Sequence, residues 1–237
     1  MGNFNNEPYG NFEMLSKDGD FLCYTTEKKM NWYLTRSLAK QLNDKKYQLN
    51  FITKGDGNNV RGEYYKIPLE NKCVVCGSTD ELTKHHVVPS QYRKKLPERF
   101  KSKSSFDVLC VCDTCHNKYE KHADDLKLQL LVDYGLLDYA KANQRAIRCH
   151  NVLKRHYAVV PEERLANMTE FLEDYLQDSI ENIIAIERLD FISVTDKLMN
   201  GITDHEAFIL MWREHFIEKT KPQHLHESWL EGMATIF

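Results

Sequence analysis

The sequence lacks several features that would place it in a well-defined class of proteins. No apolar run approaches the ~18 residues that a membrane-spanning helix needs, so no membrane partner is expected. There is no phosphate-binding loop, no Gly-rich dinucleotide fingerprint and no internal repeat. Residues 1–6 carry neither the charged nor the apolar segment of a secretory signal. We therefore expect an intracellular protein that is not secreted.

The chain also has little net charge, which gives no overall electrostatic sign of a nucleic-acid-binding protein. The formal net charge is -3, with 42% hydrophobic and 28% charged residues. These proportions are typical of an ordinary globular protein. A length of 237 residues allows one elaborate domain or two small ones with a real core.

Two Cys-x-x-Cys pairs are the first positive feature. Cys73 and Cys76 form one pair, Cys112 and Cys115 form the other, and 35 residues separate the two pairs. Each pair can chelate from a tight turn, and four thiolates bind Zn²⁺ tetrahedrally with no open position. The alternative is free thiols or disulfides. We favour a structural zinc site, because a chain without a secretory signal is expected where disulfides do not persist.

Three histidines lie beside these cysteines. His85 and His86 are adjacent, and His116 directly follows Cys115. Neighbouring side chains on a strand point to opposite faces, so His85 and His86 cannot easily bind the same ion. A histidine with its ordinary pKa near 6.5 can accept a proton from water at neutral pH. The pair therefore suits one metal ligand and one general base, as metal-dependent phosphodiester hydrolysis requires.

The order of these motifs within residues 73–118 resembles the HNH endonuclease family, whose fold is called ββα-metal. The resemblance implies that His85 and His116 bind one catalytic Mg²⁺ or Mn²⁺ ion and that His86 is the general base. It also implies that Asp107 braces the loop that holds this base. The family usually has Asn at this position, and an ionised Asp can only accept hydrogen bonds.

Glu120 lies four residues after His116 and therefore on the same face of a helix. It is either a third metal ligand or an ordinary exposed helix residue, and the sequence favours the second interpretation because exposed Glu is common.

A basic segment runs from Lys84 to Lys103, inside the motif that carries the histidines. Only one acidic residue, Glu98, opposes its seven basic residues. Such a segment can bind phosphates without base preference, and the alternative is an ordinary surface loop. Its position inside the motif favours contact with nucleic acid. The seven residues are Lys84, Arg93, Lys94, Lys95, Arg99, Lys101 and Lys103.

A wider resemblance extends from about residue 18 to about residue 229. The chain is similar there to the region that follows the exonuclease domain in a family of 3′–5′ exonuclease-domain proteins. The clustered carboxylates of the exonuclease domain itself have no counterpart in these 237 residues, so the resemblance does not imply exonuclease activity. Two of the segments that carry it are Lys28-Lys29-x-x-Trp32-Tyr33-Leu34 and Trp212-Arg213-x-His215-Phe216.

The expected fold class is α+β. A zinc-stapled, treble-clef-like ββα-metal HNH module over residues 71–125 would lie between a small N-terminal α/β unit (1–70) and a C-terminal helical region (126–237). The N-terminal pattern predicts an irregular lead-in over 1–17, a strand over Phe21–Thr25, a helix over 27–42 capped by Thr26, and strands over 47–53 and 63–68. The C-terminal pattern predicts helices over 117–133, 137–156 and 204–220, with one long amphipathic helix over 161–183.

Two functions follow from the sequence. The first is a metal-dependent HNH endonuclease that hydrolyses phosphodiester bonds in DNA or RNA. The alternative is a catalytically inactive, zinc-stapled module that binds nucleic acid or a ribonucleoprotein. A second divalent ion, bound in addition to the thiolate zinc, would favour the enzyme.

Overall fold

A computed structural model describes residues 8–53, 64, 67–101 and 104–232. The chain is a mixed α+β protein, as expected, and divides into two compact units. The first unit contains residues 1–123 and 204–237, and the second contains residues 124–203. No helix in the described part of the chain is long and apolar enough to cross a membrane.

The first unit begins with a four-stranded sheet and one helix. The sheet has the order β2-β1-β4-β3, with β1 and β4 parallel and the other two pairs antiparallel. Its core is built around Met30, Tyr47 and Leu49, all nearly or fully buried. The elements are β1 (Phe12–Leu15), β2 (Phe21–Thr25), α1 (Glu27–Thr35), β3 (Ala39–Asn43) and β4 (Lys46–Leu49).

The strand predicted over Phe21–Thr25 is confirmed, and Thr26 caps α1 as predicted. The predicted helix over 27–42 is too long, because the backbone of Ser37 adopts a positive φ of 54° and residues 39–43 pair with β4. The predicted lead-in over 1–17 contains strand β1, and the predicted strand 47–53 is the shorter β4. Half of the strand predicted over 63–68 lies outside the described residues, namely residues 63, 65 and 66.

A two-stranded antiparallel sheet and the helix that follows it carry the cysteine and histidine motifs. In its register His85 pairs with Leu109 and His86 with Val108. Short helices fill the connection between the two strands, including a 3₁₀ turn over Ser104–Asp107. The elements are β5 (Leu82–His86), α2 (Ser90–Arg93), α3 (Glu98–Lys101), β6 (Val108–Cys112) and α4 (Asp113–Asp133).

The second unit is helical. The predicted helix 137–156 is confirmed, whereas the predicted helix 161–183 is two helices. Gln177, with φ 55°, ends the first of them, and the Ser179 side chain caps the second by accepting from the Asn182 N–H. The apolar residues of the predicted amphipathic helix, among them Leu172 and Ile183, pack in the core of this unit, as expected. The helices are α5 (Leu137–His156), α6 (Glu162–Leu176), α7 (Ile180–Ala185) and α8 (Val194–Gly201).

The chain then returns to the first unit with α9 (His205–Thr220) and α10 (Glu227–Gly232). Trp212 and Trp229 are completely buried, and the Trp229 indole N–H donates to the carbonyl oxygen of Phe106 at 2.8 Å. The sequence placed residues 204–237 with the C-terminal helical region. The structure groups them with the cysteine and histidine motifs, since buried side chains of α9 pack there: Phe216 contacts His85 and Phe208 contacts Tyr92.

Candidate metal centres

Four cysteines form one cluster at the base of the β5–β6 sheet. All four sulfur atoms lie within 4.8 Å of one another, and Sγ of Cys76 lies 3.7 Å from Sγ of Cys112. A tetrahedral zinc with Zn–S bonds of ~2.3 Å would place its sulfurs ~3.8 Å apart. Within the described residues, Cys73, Cys76, Cys112 and Cys115 form no disulfide. The donor set therefore fits a metal ion such as zinc.

Backbone hydrogen bonds shape the first knuckle of this cluster. The Gly77 N–H donates to the Cys73 carbonyl oxygen at 2.8 Å, and Gly77 has a φ of 79°. The Val74 N–H donates to the Cys110 carbonyl oxygen at 2.9 Å, which ties the knuckle to β6. Burial and the neighbouring thiols raise the pKa of Cys112 and Cys115. The raised pKa values disfavour deprotonation of these thiols, and a bound divalent cation would offset this effect because it stabilises the thiolates.

A second cluster lies between β5 and α4. The ligand atoms of His85, His116 and Glu120 all lie within 4.8 Å of one another. The ring centroids of the two histidines are 4.9 Å apart, and Nε2 of His116 lies 3.4 Å from a carboxylate oxygen of Glu120. His85 is buried, whereas the side chains of His116 and Glu120 are 28% and 43% exposed, so the cluster is open on one side only.

The Thr83 hydroxyl connects His116 to β6. It lies 3.2 Å from the Val111 carbonyl oxygen, to which it can donate, and 3.1 Å from Nδ1 of His116, where the His116 tautomer decides which atom donates. In the tautomer with the proton on Nδ1, the lone pair on Nε2 faces the Glu120 carboxylate at 3.4 Å. In that tautomer the two acceptors can bind a cation between them.

Aromatic rings fix the orientation of His85. Its ring lies 5.1 Å from that of Tyr119 and 5.5 Å from that of Phe216, measured between centroids. The Tyr119 hydroxyl lies 3.1 Å from Nδ1 of His215, and burial raises the Tyr119 pKa. Residues of α9 therefore line the buried side of this cluster, and neighbours of this kind orient ligands in metal sites.

His86 does not belong to the three-residue cluster. It lies on the opposite face of β5 from His85, together with Lys84, and both line a separate cleft. Burial, followed by the charge of Arg93, lowers the His86 pKa, while Asp107 acts in the opposite direction. The prediction that His85 and His86 point to opposite faces of a strand is confirmed.

Asp107 contacts the segment after His86 through its backbone and pairs with an arginine through its side chain. Its carbonyl oxygen accepts from the Val87 N–H at 2.8 Å. Its carboxylate accepts from Nε and Nη2 of Arg213 at 2.7 and 3.2 Å, and both side chains are buried. No role for Arg213 is predicted from the sequence, because nothing in a helical pattern distinguishes a buried arginine from an exposed one.

The basic segment begins on β5 and continues through α2, the link after it and α3, with buried apolar side chains between the charges. Lys84, Lys94, Lys95 and Arg99 are exposed, and Arg93 is half-buried. The Lys101 side chain and the whole of Lys103 lie outside the described residues. Tyr92, Leu96 and Phe100 are the buried anchors.

The fold and the two clusters define a mixed α+β protein with a four-cysteine site able to hold a metal. The chain is similar to exonuclease 3′-5′ domain-containing protein 2 of Drosophila melanogaster, with 27% identity over 250 residues. The human protein of the same name is 28% identical over 249 residues. Protein RRP6-like 3 of Arabidopsis thaliana is 33% identical over 130 residues, which are 54% of this chain and 15% of that protein.

The first two matches each cover 93% of this chain but only 42% and 40% of the relatives. The chain thus spans less than half the length of these curated proteins. No family model matches the chain, and no solved structure matches it. The relationship to exonuclease-domain proteins is shown over most of the chain, while membership of the HNH family stays a prediction.

Proposed function

We propose that this chain is a metal-dependent nuclease module of the HNH type, which hydrolyses phosphodiester bonds in DNA or RNA. The observation that carries the proposal is the convergence of His85, His116 and Glu120 between β5 and α4. Beside it lie four cysteines suited to a structural zinc. Two strands, one helix and a sulfur cluster are the parts of a ββα-metal module.

Each residue then has a distinct role. His85, His116 and Glu120 would hold one divalent cation, which when bound supplies Lewis-acid stabilisation of the phosphate and the leaving oxygen. The family resemblance assigns acceptance of the proton of the attacking water to His86, which lies on the face of β5 opposite the ion site. The backbone of Asp107 holds the segment that follows His86. Lys94, Lys95 and Arg99, with the rest of the basic segment, hold phosphates on either side of the bond that is cut.

The donor set modifies the expectation for the catalytic ion. Mg²⁺ prefers oxygen ligands and keeps much of its water, whereas imidazole nitrogens suit transition metals. With two histidines and one carboxylate, we propose that Mn²⁺ supports activity better than Mg²⁺. Glu120 is included as a third ligand, although the sequence favoured an exposed helix residue.

Nucleic acid as the substrate is also supported by the relatives, since two of those described are named as exonuclease-domain proteins. This chain spans less than half of their length, and the carboxylates expected of an exonuclease domain have no counterpart in its sequence. We therefore propose internal cleavage by the histidine cluster as the reaction of this chain.

The test is a cleavage assay on circular DNA, linear DNA and RNA with Mn²⁺ and with Mg²⁺. We expect His116→Ala and His86→Ala to lose at least ~10²-fold in rate, because one removes a ligand and the other the base. His122→Ala is the matched control, since this exposed histidine lies on the same helix outside the cluster. Equal rates for His116→Ala and His122→Ala would contradict the assignment. A zinc-loaded protein that binds nucleic acid without cutting it would favour the binding module instead.

A further inference from the structure

A cleft of about 400 Å³ lies beside His86 on the face of β5 opposite the histidine cluster. Its walls come from the N-terminal segment, β2, the start of α1 and the β5–β6 sheet, all within the first unit. A volume of this size is within the range of small-ligand pockets. The proposed hydrolysis uses only His86 and Lys84 from this cleft, so most of its lining has no assigned role.

The lining of the cleft is cationic and aromatic. It contains the side chains of Lys29 and Lys84, three tyrosines and His86, and its described residues include no Asp or Glu. Within the described residues, neither lysine ammonium group forms a salt bridge, and Nδ1 of His86 has no hydrogen-bond partner. Unpaired cations without opposing carboxylates attract an anion. The tyrosines are Tyr9, Tyr24 and Tyr64.

Tyr9 and Tyr24 have different contacts within the cleft. The Tyr9 hydroxyl donates to the Val108 carbonyl oxygen at 3.1 Å, which fixes this ring against the β5–β6 sheet. Tyr24 is half-buried on β2, and its ring lies 5.1 Å from that of Phe21. Aromatic rings beside a cationic groove are the usual means of binding unstacked bases, because every base has a flat face on which a ring can stack.

We propose that this cleft holds one unstacked nucleotide of a single-stranded nucleic acid, with its base against Tyr24 and its phosphate between Lys29 and Lys84. The inference rests on the proposed function and names its substrate class. His86 also lines the cleft, so a nucleotide bound there would lie next to the proposed general base. A duplex keeps its bases paired and stacked, so it cannot offer a base to the cleft without unpairing.

Fluorescence anisotropy with labelled oligothymidylate, oligouridylate and a duplex of equal length, without added divalent ions, tests the proposal. We expect the single strands to bind more tightly than the duplex. Lys29→Ala should weaken binding and reduce the slope of log affinity against log salt by about 0.7, the value for one phosphate contact on a single strand. Lys28→Ala is the matched control, because Lys28 is the exposed neighbour outside the cleft.

Tyr24→Ala should weaken single-strand binding by about 5-fold or more, whereas Tyr24→Phe should leave it unchanged, because stacking needs the ring and not the hydroxyl. Zinc content and circular dichroism confirm that each variant is folded. The proposal is overturned if Lys28→Ala and Lys29→Ala behave alike, or if the duplex binds as tightly as the single strands.

His116→Ala separates this inference from the proposed function. It should retain single-strand binding while losing cleavage, because His116, on α4, lies beside His85 and therefore on the side of β5 opposite the cleft. If the wild-type protein cuts nothing but the Lys29 and Tyr24 effects appear, the cleft assignment stands and the nuclease assignment fails. If the protein cleaves and neither substitution changes binding or its salt dependence, the nuclease assignment stands and the cleft assignment fails.

Discussion

Asp107 and Arg213 form a bidentate ion pair in the interior of the first unit. The Asp107 side chain is 9% exposed, Arg213 is fully buried, and the guanidinium carbon lies 4.8 Å from the centre of the Phe106 ring. The HNH family, which the motif resembles, usually has Asn at this position. In this chain the carboxylate has a partner supplied by α9, so Asp107 can hold the loop after His86 through its backbone while its charge is compensated.

Removing one partner of this pair should be much more damaging than removing both. We expect Arg213→Met to destabilise the protein by about 3–5 kcal/mol, because a buried carboxylate is left without its cation. The double variant Arg213→Met with Asp107→Asn should recover much of this loss, since no buried charge remains. Urea unfolding followed by tryptophan fluorescence measures both.

Glu214→Ala on the exposed face of the same helix is the control, and we expect a change within about 0.5 kcal/mol. If the double variant is as unstable as the single one, the carboxylate is not the source of the loss, and the role given to the pair is wrong.

At the scale of elements, the first cysteine knuckle (Cys73–Cys76) and the segment after α9 hold each other in place. The N–H groups of Gln223 and His224 donate to the carbonyl oxygens of Val75 and Val74 at 3.2 and 2.9 Å. Gly77 lies directly beneath the His224 ring, where a Cβ atom would meet Nε2 at 2.6 Å. The φ of 79° favours glycine at this position, and a Cβ atom there would also have to displace the exposed His224 ring.

Gly77→Ala should therefore cost more stability than the same substitution at Gly135. Gly135 has a φ of 65°, but a Cβ atom there meets nothing within 4 Å. Both variants lose about 1–2 kcal/mol to the left-handed backbone, and only Gly77→Ala also displaces a neighbour. Thermal unfolding by circular dichroism compares them. Equal losses would show that the His224 contact adds nothing.

Local sequence signals predicted some boundaries of these elements and missed others, for physical reasons. The start of α1 was predicted because Thr26 is a local side-chain cap. Asp204, the first residue of the helix predicted over 204–220, caps α9 in the structure. The end of α1 was missed because the chain leaves the helix to pair β3 with β4, and such pairing has no local signal. The candidate site shows the same limit of local signals. The spacing of four residues from His116 made Glu120 a possible ligand, but only the fold shows that its carboxylate faces Nε2 of His116.

At the scale of the whole molecule, the first unit is assembled from two distant parts of the sequence. Residues 204–232 supply Trp212, Arg213, Phe216 and Trp229, all with at most 1% exposure. Phe216 contacts His85, and Arg213 pairs with Asp107, so both histidine positions depend on this segment. The sequence showed the helix at 204–220 but not the surface against which it packs.

Deleting residues 204–237 should unfold the first unit and release its metal. Large buried apolar surfaces would become exposed, and loss of the fold and loss of a structural zinc are coupled. The zinc content of the purified protein, measured by mass spectrometry, checks this. Retention of one zinc ion with an unchanged circular dichroism spectrum would contradict it.

The central claim is that His85, His116 and Glu120 bind a divalent ion separate from the thiolate zinc. Titration of the zinc-loaded protein with Mn²⁺, followed by electron paramagnetic resonance, tests it most directly. We expect one Mn²⁺ ion to bind to the wild-type protein and to His122→Ala, with binding lost in His116→Ala and weakened in Glu120→Gln. Saturable binding that is the same in all four proteins, or absent from the wild type, would contradict the claim.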